Sequence, residues 1–132
     1  MPTPTTLTRR DLILQRAQLL PDADAALLRA VYNDGKTLAE LARLAHRTRG
    51  SIRKRFVRLR DHVTSRVFER ALRHRHRFKG KRRAVLTHCI IEGRTVKEVA
   101  RQLRMGYYET RLHRDTILAL LNTSELLTGG VS

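Results

Sequence analysis

Apolar residues recur along this chain at the three-to-four-residue spacing of amphipathic helices, and the capping residues between them mark where each helix begins and ends. Thr8, with Asp11 three positions later, caps a first helix over "RRDLILQRAQLL", which Pro21 stops. A second helix, about Asp22 to Asn33, carries Ala26, Leu27, Ala30 and Val31 at helical spacing and ends at Gly35. Thr37 and Glu40 form the Thr-x-x-Glu capping box of a third helix, whose apolar side is Leu38, Leu41, Ala42 and Ala45. A fourth starts near Thr48, with Ile52, Phe56, Leu59 and Val63 within about 60° of one another on a helical wheel. Val67, Ala71 and Leu72 prolong that stripe, which predicts one long helix reaching about Arg77 and broken at Gly80.

The pattern then starts again. With Gly35 set on Gly93, an offset of 58 residues, Thr37 falls on Thr95, Glu40 on Glu98, Ala42 on Ala100 and Arg43 on Arg101. Leu38 and Leu41 meet Val96 and Val99, and the preceding "AALLRAVYNDG" meets "RAVLTHCIIEG". The expected fold is all-α: two tandem helix-turn-helix units joined by a long basic helix. Residues 1–21 form an N-terminal arm and first helix, 22–63 the first unit, 64–80 the basic linker helix, 81–121 the second unit and 122–132 a flexible tail.

Charge gives this repeat a direction. The chain carries a formal +16, and Arg49 to Arg83 holds 15 Lys or Arg against Asp61 and Glu69 alone. A field concentrated on one segment attracts a polyanion. It lacks the Trp and the broad Leu/Phe face of a membrane-surface helix, and no apolar run approaches the roughly 18 residues of a membrane span. Cys89 is the single cysteine, which excludes an internal disulfide and fits a cytoplasmic location, and "MPTPTTLTRRD" lacks the apolar core of a signal peptide. No Ser-His-Asp, phosphate-loop or paired-carboxylate arrangement occurs, so neither an enzyme nor a cofactor is expected. His74 and His76, two apart on a helix, point about 200° away from each other, so no metal site is expected there.

In a helix-turn-helix the last helix lies in the DNA major groove while its partner braces it across the backbone, and small residues such as Ala42 and Ala100 let the two cross closely. With Ile52, Phe56 and Leu59 inward, Gly50, Lys54, Val57 and Arg58 point outward, with Arg53 beside them and Arg47 in the turn. Arg and Lys read guanine O6 and N7. Arg47, Gly50, Arg53, Lys54 and Arg58 are therefore the expected base-contacting set. Thr48, Arg49, Ser51, Arg55 and Arg60 flank it as phosphate contacts, joined by Arg73, Arg75, Arg77, Lys79 and Lys81 of the linker and by the cap residues Thr37 and Thr95.

The stretch "TLAELARLAHRTRGSIRKRF" resembles the fourth region of bacterial sigma factors, which reads the promoter −35 element; Glu40, Leu41, Ala42, Gly50, Ser51, Ile52, Arg53, Arg55 and Phe56 match its pattern in register. The resemblance implies a DNA-facing role for Arg49, Gly50, Arg53 and Lys54. The chain departs from the pattern at the turn, where Ala45, His46 and Arg47 replace Leu-Gly-hydrophobic; a non-glycine residue at His46 can adopt a positive φ there at some cost.

The second unit, "EGRTVKEVARQLRMG", matches the same family through Leu103 with Met105 at the buried turn position, and this half also resembles the helix-turn-helix of phage late-gene regulators. An ungapped register places Thr110 and Arg114 inward. A turn shorter by about two residues instead turns Tyr108 and Leu112 inward, leaving Tyr107, Thr110, Arg111 and Arg114 as the expected second base-contacting set.

The expected function is sequence-specific binding of double-stranded DNA in bacterial or phage transcription regulation. A linker helix of about 1.5 Å per residue would carry one chain from one major groove toward the next, about 34 Å away. The alternatives are an RNA-polymerase-associated factor, sigma-like or of the phage late-gene type, and a non-specific nucleoid-type binder; a homodimer is compatible with each.

Overall fold

The structure, a computed structural model, describes the backbone of residues 7–131 and the side chains of residues 7–123. The polar arm expected over residues 1–7 lies, except for Leu7, outside the described residues. The fold is all-helical, with no strand among the described residues, and the chain divides into two compact units, Met1–Thr64 and Ser65–Ser132.

The first unit holds α1 (Arg9–Ala17), α2 (Asp22–Tyr32), α3 (Leu38–Leu44) and α4 (Arg49–Val63). Side-chain oxygens start three of them: Thr8, Thr37 and Thr48 each accept the backbone N–H three residues on, at 3.1 Å. The Thr37–Glu40 capping box is complete. The core is Ile13, Ala17 and Leu20 with Ala25, Leu27 and Leu28, closed by Ala42 and by Ile52, Phe56, Leu59 and Val63 of α4. The stripe expected on α4 is thus the buried one. On α2 the inward set is Ala25, Leu27 and Leu28, while Ala26 is exposed. Tyr32 stacks on Phe56 with ring centroids 5.7 Å apart. Two arginines of α1 bind other helices through their ends, Arg10 donating to the Tyr32 carbonyl at 2.6 Å and Arg16 to the Val63 carbonyl at 2.7 Å.

The second unit holds α5 (Arg66–His74), α6 (Gly80–Val85, continuing as a π-helical turn over Leu86–Ile91), α7 (Val96–Leu103) and α8 (Tyr107–Val131), with a 3₁₀ turn at Arg75–Arg77. Its core is Phe68, Ala71, His74 and Phe78, then Val85, Leu86, Cys89, Ile90 and Ile91, then Val96, Val99 and Ala100, and Thr110, Ile117 and Leu121 of α8. Helix α8 runs through the stretch expected to be a flexible tail, and Asn122 accepts a hydrogen bond from Arg70 at 3.0 Å.

The long basic linker helix over 64–80 is not formed. Helix α4 ends at Val63, where the Thr64 hydroxyl donates to the Arg60 carbonyl at 2.9 Å; Ser65 then caps a new helix by accepting the Phe68 N–H at 3.2 Å. Phe68 and Ala71 are fully buried in the second unit, whereas Val67, expected on the α4 stripe, is exposed. The segment is the first helix of a second four-helix unit.

The 58-residue offset therefore holds along the whole described repeat without insertion. It pairs the buried residues Ile13 with Ala71, Leu20 with Phe78, Leu27 with Val85, Leu28 with Leu86, Ala42 with Ala100, Ile52 with Thr110, Leu59 with Ile117 and Val63 with Leu121. The connections repeat as well. Lys36 N–H reaches the Ala30 carbonyl and Arg94 N–H the His88 carbonyl, each at 3.0 Å, around Gly35 and Gly93 with φ of 68° and 76°.

Candidate nucleic-acid interface

In the first unit a short turn, Ala45 to Thr48, sets the angle between α3 and α4. His46 occupies it with φ 53°, and Arg47 N–H returns to the Ala42 carbonyl at 2.9 Å. The positive φ anticipated at His46 is present. In the second unit Arg104 takes the same position with φ 55°, and Met105 N–H returns to the Ala100 carbonyl at 2.9 Å. The two turns are therefore of equal length.

Burying Ile52, Phe56, Leu59 and Val63 leaves the other side of α4 to solvent. Arg49, Gly50, Ser51, Arg53, Lys54 and Arg58 are all exposed there, as are Arg47 and Thr48 in the turn. Arg47, Arg49, Arg53, Lys54 and Arg58 form no ion pair among the described residues, so the face carries cations without local neutralisation. Gly50 has nothing within 4 Å of where a Cβ would sit, so internal packing does not demand glycine, and its absent side chain lowers the helix surface. A groove-inserting helix gains by this, because its backbone approaches the ligand more closely.

Other arginines of α4 face differently. Arg55 is bound to Asp24 of α2 at 2.7 Å, and Arg60 lies 5.9 Å from the Phe56 ring centroid with Asp61 at 3.3 Å. The phosphate role expected of Arg55 is thus taken by an internal ion pair. Thr37 is also committed, because its hydroxyl accepts from Glu40 N–H and donates to the Glu40 carboxylate at 3.1 Å. The backbone hydrogen bond from Thr37, followed by the one from its hydroxyl, holds the Glu40 carboxyl below its ordinary value. Thr95 and Thr48 accept at their own helix starts, each at 3.1 Å.

The second unit overturns the expected register of α8. Thr110 is fully buried and its hydroxyl donates to the Gly106 carbonyl at 2.9 Å, so it cannot contact a base. Tyr108 and Leu112, expected inward, are 81% and 67% exposed. The ungapped register is the real one, because the turn is not shortened and a threonine satisfied by its own helix can occupy the Ile52 position. Tyr107 is exposed and meets Tyr108 edge-on at 5.5 Å. Arg111 is exposed with Asp115 3.9 Å away; Arg114 is half-buried and bound to Asp115 at 3.1 Å. Where α4 presents Arg49, Gly50, Arg53, Lys54 and Arg58, α8 presents Tyr107, Tyr108, Arg111, Leu112 and Thr116.

Of the former linker set, Arg75, Arg77 and Lys79 are exposed without an ion pair among the described residues. Arg73 is bound to Glu69 at 2.9 Å and Lys81 to Glu109 at 3.3 Å. Sequence reasoning passed over two exposed groups beside the turns, Arg43 and Arg104; position at the end of the bracing helix is the signal that marks them. Burial pushes the Cys89 thiol above its ordinary value, as suits a core residue. No three His, Cys, Asp or Glu converge on a metal site among the described residues, and no helix of those residues is long and apolar enough to cross a membrane. Comparison with family models, with curated proteins and with solved structures finds no match.

Proposed function

We propose that this chain is a sequence-specific double-stranded DNA-binding protein of bacterial or phage transcription regulation, acting in the cytoplasm, with α3 and α4 as a helix-turn-helix and α4 as the major-groove reader. One observation carries the reading: a helix braced by a short turn presents Arg47, Arg49, Arg53, Lys54 and Arg58 on one uncompensated face while its other arginines are held by the fold. Such a face suits both guanine edges and phosphates. In the second unit the corresponding residues Tyr107, Tyr108 and Leu112 suit apolar contact with thymine methyl groups, with Arg111 as the cation among them.

The test is recovery of fragmented genomic DNA by the purified full chain at physiological salt, followed by sequencing. Discrete sites sharing a motif, lost in Arg53→Ala/Lys54→Ala, support the reading. Diffuse recovery sinks it in favour of a non-specific binder.

A second reading has its own observation. Tyr107, Tyr108 and Leu112 make an exposed aromatic and apolar face of the kind enriched at protein interfaces. This favours an RNA-polymerase-associated factor in which α4 binds promoter DNA and α8 binds protein. Under it, Tyr108→Ser/Leu112→Ser leaves binding to naked DNA unchanged and abolishes co-purification with polymerase.

A further inference from the structure

The second unit contains an open cleft of about 490 Å³, within the range of small-ligand sites, between the α5–α6 connection and α8. Phe78 and Leu120 supply its apolar surface; Arg77, Lys79, Lys81 and Arg82 supply four cations, and His113 completes the wall. The only carboxylate within 4 Å of these cationic groups among the described residues is that of Glu109, 3.3 Å from Lys81 Nζ and 3.9 Å from His113 Nε2. Arg82 Nε donates to His113 Nδ1 at 3.4 Å, and Arg82 has no carboxylate partner among the described residues.

The internal repeat supplies the control. Fifty-eight residues earlier, the positions of Arg77, Lys79, Lys81 and Arg82 hold Leu19, Pro21, Ala23 and Asp24, and the position of His113 holds Arg55. There the first unit joins Asp24 to Arg55 at 2.7 Å. The first unit builds the same helices with no cation at any of those four positions, so the fold does not require them. In the second unit the carboxylate has become a guanidinium and three neutral residues have become cations. Gathering four like charges around one concavity raises the energy of the empty site, and an anion bound there relieves it.

We propose that this cleft binds a small organic phosphate, its phosphate held by Arg77, Lys79 and Arg82 and its apolar or planar body lying against Phe78 and Leu120. The shared chemistry is a phosphate, which a backbone phosphate of DNA also offers. The apolar floor favours the small molecule, since a bare phosphodiester leaves Phe78 and Leu120 unused. The proposal goes beyond the DNA-binding reading and stands whether or not α4 binds DNA.

The test is calorimetric titration of the full chain with phenyl phosphate at physiological salt, with phenol and inorganic phosphate alongside. Saturable one-to-one binding, with both fragments at least about tenfold weaker, is expected. Arg82→Asp, which restores the residue of the first unit, should weaken phenyl phosphate at least about tenfold, and Arg53→Ala should leave it unchanged. If Arg82→Asp lowers the helical circular dichroism, Lys79→Ala, at an exposed position, replaces it with the same expected direction. Absence of saturation overturns the proposal, as does an equal loss from Arg53→Ala, which marks a diffuse cationic field. Inorganic phosphate binding as tightly as phenyl phosphate overturns it as well. So does displacement of phenyl phosphate by duplex DNA from Arg53→Ala/Lys54→Ala, which makes the cleft a DNA-backbone contact.

Discussion

Asp24 and Arg55 stand 2.7 Å apart and tie α2 to α4, which separates one arginine from its neighbours on the same helix. Arg53 and Lys54 precede it in the chain but face solvent. Both partners of the pair are partly exposed, so its contribution is about 1 kcal/mol. Arg55→Ala should therefore lower the stability of the first unit by about that amount and leave DNA affinity within about twofold. Arg53→Ala should do the reverse. Thermal denaturation together with fluorescence anisotropy on one DNA site separates the two; equal losses of affinity would remove the distinction drawn between paired and free arginines.

A salt titration extends this. Each phosphate contact contributes about −0.9 to the slope of log K against log salt on duplex DNA. Replacing Arg49 with Ala should make the slope shallower by about one, with affinity for all duplexes falling together. An unchanged slope would take Arg49 out of the phosphate-contacting set.

Thr110 is a test of register. Thr110→Arg forces a charge into a fully buried position and should destabilise the second unit by more than about 3 kcal/mol. Tyr108→Ser and Leu112→Gln, on the solvent side, should stay within about 0.5 kcal/mol. Denaturant unfolding of the three variants decides it, and a tolerated arginine at position 110 would restore the shortened turn.

His46 and Arg104 hold left-handed backbone at equivalent points of the two turns, with φ of 53° and 55°. Left-handed geometry costs a side-chain-bearing residue about 1–2 kcal/mol, and glycine returns about half of that as unfolded-state entropy. His46→Gly and Arg104→Gly should each stabilise their unit by about 0.5–1 kcal/mol, read as a higher melting temperature. A lower one would mean that the side chains themselves hold the turns.

Glu92 gives stability a pH dependence. Burial works to raise its carboxyl, but hydrogen bonds from His88 at 2.9 Å and Arg94 at 2.7 Å, with their charges, outweigh it and leave the pKa below the ordinary value. A folded pKa below the unfolded one stabilises the native state fully above the unfolded value, about 4.3, and that gain is lost as pH falls through the lower folded value. The stability of the second unit should thus drop below about pH 4.3, and Glu92→Gln should flatten that part of the profile. Parallel profiles for the two proteins between pH 2 and 6 would exclude Glu92 as the cause.

What the sequence determined by itself is the local order: the all-helical class, the Thr-x-x-Glu start at Thr37, the buried stripe Ile52–Phe56–Leu59–Val63, and the 58-residue offset from Gly35 to Gly93. Caps and helical periodicity act within a few residues, so they are written in adjacent letters. Tertiary structure decided what covers each stripe and which charges are free. Val67, Ala71 and Leu72 continue the periodicity of α4 on paper, yet Thr64 and Ser65 divert the chain, and the second core buries Ala71 and Phe68 while Val67 is left exposed. Thr110 looks like a surface residue because its polarity is visible in sequence and its bond to the Gly106 carbonyl is not. Arg55 looks like Arg53 until Asp24, 31 positions away, folds against it. Periodicity names the face of a helix; only packing between distant segments assigns that face to core, ion pair or solvent.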